Sequence, residues 1–171
     1  MSLANEKKVN VSDPLATYLH DHLAGSHFAV KLLDSLHDQY RDEELGKFAA
    51  ALCADVKQDQ DDLQEIVDQI GRAHLDLTEA SGWFVEKASQ LKLQRDNSGV
   101  GLGTFEALET LGLGIRGKWA LWQALPVIRE FDARIPDRDF EKLAARADEQ
   151  YARVERQRIQ LIRSSFQPKS T

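Results

Sequence analysis

A chain of 171 residues with a formal net charge of −6 has room for one domain with a sizeable core and is short for two. The acidic balance excludes a generic nucleic-acid binder, which needs surplus cations to displace the counterions of the phosphates. A hydrophobic share of 42% excludes a disordered polymer, and no run approaches the roughly 20 apolar residues that span a bilayer, so neither nucleic acid nor a membrane is an expected partner.

Residues 1–11 are polar, carry Glu6, Lys7 and Lys8, and lack the apolar core of a signal peptide, which predicts a disordered leader on a cytoplasmic protein. A single helical domain is expected over residues 12–167. Ser12-Asp13-Pro14 reads as a side-chain cap followed by proline at the first helical position. Leu15, Leu19, Leu23, Val30, Leu33 and Leu36 then recur at helical spacing, which predicts a first long helix over 13–40. After a tight break at Arg41-Asp42, Leu45, Phe48, Leu52, Val56, Leu63, Ile66 and Ile70 predict a second over 43–70, with Gly71 as its stop. The single cysteine, Cys53, excludes an intrachain disulfide, and its apolar neighbours predict a buried thiol.

A short amphipathic helix is predicted over 78–93, presenting Trp83, Phe84, Ala88 and Leu91, and a glycine-rich loop follows to Gly103. That loop has neither the lysine nor the flanking strand of a phosphate-binding motif. Phe105, Leu108, Leu111, Ile115, Trp119 and Trp122 predict a third long helix over 104–135, kinked at Pro126. Pro136-Asp137 provides the next break and cap, and Phe140, Leu143, Ala147, Tyr151, Val154, Leu161 and Ile162 predict a last helix over 138–166.

Connection lengths set the expected topology. The first two long helices and the last two are joined by a few residues, so each pair is an antiparallel hairpin. The middle connection is about 30 residues, enough to travel the length of a helix of roughly 42 Å at 1.5 Å per residue. Two hairpins joined by one long crossover make an all-α fold that resembles the ferritin-like superfamily of four-helix bundles, here with an extra short helix on the crossover. The resemblance covers about residues 13–166.

The resemblance implies a carboxylate-bridged di-iron or di-manganese centre, built from a Glu on each of two helices and a Glu-x-x-His on each of the others. This chain departs from that pattern. Asp55-Val56-Lys57-Gln58 stands where Glu-x-x-His belongs, the last helix has no histidine, and only Glu106 and Glu109 match a family-type Glu. No cofactor is therefore expected. The alternative is a divergent metal-binding protein or oxidase holding iron, manganese or zinc through His22, Asp55, Asp59 and Glu109.

Asp59 lies on the apolar stripe of Leu52, Val56, Leu63 and Ile66, and a carboxylate pointing inward there demands a partner. Arg158, between Val154 and Leu161, is the expected partner, which makes His22, Asp55, Asp59, Glu109 and Arg158 a predicted buried polar network. His20 and His27 read as surface or core-edge residues. Gly112, Gly114 and Gly117 each cost about 1 kcal/mol in a helix interior, which suggests close approach of a neighbour. Trp83, Gly112 and Trp119 are the candidates for a small-molecule groove. Trp119 and Trp122, flanked by Arg116 and Lys118, are expected in core and interface contacts. Arg153, Arg156, Arg158 and Arg163 make the last helix locally basic where cations complement its dipole.

The reading that follows is a non-catalytic, ferritin-like bundle that acts through self-association, most simply as a homodimer, or through an unidentified protein partner. A divergent metal protein and a small-molecule binder are the alternatives.

Overall fold

The computed structural model describes residues 13–70 and 101–167, and these form four α-helices. They are α1 (Pro14–Gln39), α2 (Glu44–Ile70), α3 (Leu102–Arg129) and α4 (Phe140–Phe166). The predicted leader, the Gly71 stop, the short helix over 78–93 and Trp83 lie outside the described residues. None of the described helices is long and apolar enough to cross a membrane.

Local chemistry fixes the helix ends. Asp13 caps α1: its Oδ1 accepts from Leu15 N at 3.1 Å and Ala16 N at 3.3 Å, with Pro14 in the first turn. Such a cap contributes about 1 kcal/mol. α3 begins at Leu102 with Gly101 as its cap, so Thr104 lies inside the helix and is buried. Pro126 sits in the last full turn, where its missing N–H weakens the ladder. The helix accordingly ends at Arg129, short of the expected 135, and looser turns carry the chain on to buried Ile135. The cap of α4 is Asp139, whose Oδ1 accepts from Lys142 N at 2.9 Å. Asp137, expected in that role, instead pairs with Arg129.

The α1–α2 turn explains one glycine. A Cβ on Gly46 would stand 2.0 Å from the carbonyl oxygen of Tyr40, so only glycine lets α2 start this close to the end of α1. His37 Nδ1 lies 3.1 Å from the Gly46 carbonyl and ties the same corner.

Each helix packs against two neighbours. α1 lies beside α2 and α3, and α4 lies beside α3 and α2, which leaves α1–α4 and α2–α3 as the diagonals. Tyr40 Oη meets Thr104 Oγ1 at 2.8 Å, and at the other end Arg134 pairs with Asp13, so α1 and α3 are antiparallel. α2 and α4 are antiparallel as well, since Glu65 meets Arg138 and Asp55 meets Arg153. Ile70 and Gly101 therefore lie at opposite ends of the bundle, as the length of the middle connection required. The core runs through the centre with Leu19, Leu33, Leu36, Leu52, Ile66, Leu108, Leu121, Trp122 and Leu125 fully enclosed. Cys53 is buried as expected, and its thiol donates to Asp34 Oδ1 at 3.2 Å.

Candidate functional site

One apolar stripe on each of three helices is broken by a single polar side chain at the same height. On α2 the break is Asp59, between Val56 and Leu63. On α3 it is Lys118, in the run Leu111, Ile115, Lys118, Trp122. On α4 it is Gln150, in the run Leu143, Ala147, Gln150, Val154. Residues three or four apart share a helix face, so all three side chains enter the bundle interior.

They meet there. Asp59 is 2% exposed, and Lys118 Nζ donates to its Oδ2. Gln150 Nε2 donates to the same oxygen at 2.8 Å, while Gln150 Oε1 accepts from Lys118. The other carboxylate oxygen, Oδ1, faces the Arg146 guanidinium as an ion pair without a directed hydrogen bond. Arg146 also donates to Asp62 Oδ2 at 2.5 Å, and Arg138 donates to Asp62 Oδ1 at 3.2 Å. Burial pushes the Lys118 ammonium below the ordinary amine range, with the Asp59 charge opposing that shift. For Arg146, burial works against the charge, and the Asp62 hydrogen bond and Asp59 charge outweigh it, so its affinity for the proton rises.

The network continues along the α2–α4 seam. Asp55, Asp59, Asp62 and Glu65 on one side meet Arg153, Arg146 and Arg138 on the other. Long arginine side chains fill this seam where short apolar ones would let the backbones close up. The two helices consequently approach each other at few points.

The predicted site residues are only partly brought together. Asp55 and Asp59 belong to the seam, but Arg158 does not reach it. Arg158 lies two turns beyond Gln150, donates to Glu155 at 2.6 and 2.9 Å and to Glu109 at 3.3 Å, and stacks over the Phe105 ring at 5.2 Å. Glu109 is exposed on that flank. His22 stands at the α1–α3 interface, edge-on to Tyr18 with ring centroids 4.7 Å apart, and near Gly117. Burial pushes its imidazole pKa down, with Asp21 opposing. His27 Nδ1 lies 3.0 Å from Gln60 Nε2 on the surface. Gln58, which the sequence pattern set against a histidine ligand, is exposed.

Among the described residues no group of three or more His, Cys, Asp and Glu side chains converges to hold a metal ion. Each carboxylate of the centre is set against a cation instead. The candidate groove fares differently. Gly112 is buried, and the Tyr151 ring, 3.5 Å from where its Cβ would be, occupies the space a ligand would need. Trp119 is partly covered beneath Arg116, whose guanidinium lies 5.9 Å from its ring centroid. Two shallow depressions, one at the α1–α2 turn and one along Tyr151, Ala152, Glu155, Arg156 and Ile159, do not touch Asp59.

Sequence reasoning missed Lys118, Gln150 and Arg146. The signal for the first two was present, since each interrupts an apolar stripe as Asp59 does. The chain matches no protein-family model, no curated protein and no solved structure.

Proposed function

We propose that this protein is a divergent ferritin-like bundle in which a buried charge network occupies the place of the family's metal pair. Its role is non-catalytic and is exerted through self-association. The observation that carries this reading is the state of Asp59: both carboxylate oxygens are taken up by Lys118, Gln150 and Arg146. The adjacent ammonium and guanidinium neutralise this carboxylate and repel a metal cation.

The test is elemental analysis of protein purified from iron- and manganese-replete cells, paired with sedimentation velocity across a concentration series. The expected result is sub-stoichiometric metal, unchanged by Asp59→Ala, and a concentration-dependent dimer. Near-stoichiometric metal that disappears in Asp59→Ala would overturn the reading.

A further inference from the structure

Residues nine apart stand on opposite sides of an α-helix, because nine residues make about two and a half turns. On α2 the buried residues Ala49, Leu52 and Val56 are thus backed by Gln58, Asp61 and Glu65, all exposed. On α4 the buried residues Leu143, Ala147 and Val154 are backed by Ala152, Arg156 and Arg163, again all exposed. These are solvated outer faces. α1 breaks the pattern. Its buried residues Leu15, Leu19 and Leu23 are backed by Ala24, Phe28 and Leu32. Leu32 is only 6% exposed, Ala24 is half-buried, and half-buried Phe28 packs against the core. Asp21 and Lys31 stay exposed on either flank, so the covered strip is narrow.

No described helix lies on that side of α1, whose neighbours are α2 and α3. The course of the chain supplies a cover. α2 ends at Ile70 and α3 begins at Leu102, at opposite ends of the bundle and on its diagonal. The connection must therefore travel the length of α2, about 40 Å, past either α1 or α4. Its roughly 30 residues reach about 45 Å even if wound entirely as helix. The outer face of α4 carries the exposed charges Lys142, Glu149, Arg156 and Arg163, whereas that of α1 is covered. The connecting sequence has the matching chemistry, with Trp83, Phe84, Ala88 and Leu91 at helical spacing. Residues 1–12 are polar and contain no aromatic side chain to set against Phe28.

We infer that residues 71–100 pass over the outer face of α1, setting apolar side chains of the run from Trp83 to Leu91 on Phe28 and Leu32. The surface belongs to α1 and its occupant is the chain's own crossover. Apolar burial along this strip drives the contact, since no charge on α1 lies between Phe28 and Leu32 except Lys31 at the edge. One consequence concerns partners. The outer side of α1 is closed to any second protein, and binding falls to the remaining faces of the bundle. The inference stands on the route of the chain and does not depend on the self-association reading above.

Photo-cross-linking of the full chain tests it. The photoreactive residue p-benzoylphenylalanine takes the place of Asp21 or Lys31 on α1, or of Ala152 on α4, and the adducts are mapped by peptide mass spectrometry. All three positions are exposed, so helicity by circular dichroism should be unchanged. The expected result is adducts from positions 21 and 31 within residues 71–100 of the same chain. Their yield should exceed that from position 152 to the same segment by about tenfold or more, as local concentration dictates. An equal or greater yield from position 152 places the crossover on α4 and overturns the inference. Adducts to residues 1–12 mean that the leader covers α1, and products of dimer mass mean that a second copy does. Either result overturns it, as does the absence of adducts to residues 71–100.

Discussion

Lys118 and Asp59 form an ion pair across the diagonal of the bundle, between two helices whose backbones do not touch. The pair reaches the centre because each residue replaces one apolar member of an inward stripe, and Gln150 completes it from α4. A network of this kind costs desolvation energy to bury, and in the interior its attraction offsets that cost only while all members are present.

Removing one member should therefore be severe. Asp59→Ala leaves Lys118 and Arg146 facing each other without their shared carboxylate and is expected to lower unfolding stability by about 3–5 kcal/mol. Combining Asp59→Leu with Lys118→Met should recover most of that loss, because a packed apolar pair is often no less stable than a buried ionic one. Urea unfolding of both variants checks the comparison, and a double variant as unstable as Asp59→Ala would contradict it.

The glycines separate cleanly. Gly46→Ala brings a Cβ against the Tyr40 carbonyl, a backbone atom that cannot swing away, so a loss of about 2 kcal/mol or more is expected despite alanine's better helix propensity. Gly114→Ala meets open space and should gain about 1 kcal/mol in the monomer. Thermal melts at low protein concentration measure both, and a destabilising Gly114→Ala would mean that the helix is already approached there.

Strong acid should act at the end of the bundle where α1 begins. The hydrogen bond from Arg134 holds the Asp13 carboxyl below the ordinary range; burial opposes this, and the N–H groups of Ala16 and Leu15 add to it. A depressed carboxylate contributes stability that is present above its unfolded value of about 3.9 and is lost as pH falls through the folded value. Asp13→Ala should cost about 1 kcal/mol at neutral pH from the cap alone and flatten the acid limb of the stability curve below about pH 4. An unchanged acid limb would remove Asp13 from that role.

His22 should make the bundle sensitive to milder acid. Burial keeps its imidazole neutral in the fold, whereas the unfolded chain takes up a proton near pH 6.5. The unfolded state then binds more protons below that pH, so stability falls as pH drops from about 6.5 towards the lowered folded value. His22→Gln should be the flatter of the two in melting temperature between pH 7.5 and pH 5, and equal slopes would refute the assignment.

The helices were legible because their apolar periodicity is strong and Asp13-Pro14 marks a start that few other sequences allow. The α3 and α4 boundaries were less so, since Pro126 ends a helix a few residues on and Asp137 and Asp139 compete for one cap. At the site, Asp59 could be placed inside from its stripe alone, but its partner could not. Arg158 also lies on an inward-reading stripe, and one sequence does not give the height at which antiparallel helices align. Lys118 was passed over because attention fell on the tryptophans beside it, although Leu111, Ile115 and Trp122 put it on the core face.

The α2–α4 seam also bears on how the two halves of the chain recognise each other. Each hairpin is local in sequence, and the α2 side offers Asp55, Asp59, Asp62 and Glu65 where the α4 side offers Arg138, Arg146 and Arg153. Two first hairpins brought together would set carboxylates against carboxylates, and two second hairpins guanidinium against guanidinium. The seam thus rejects like halves and accepts unlike ones. Separately expressed hairpins would be expected to join as a complementary pair, at a rate that falls with added salt.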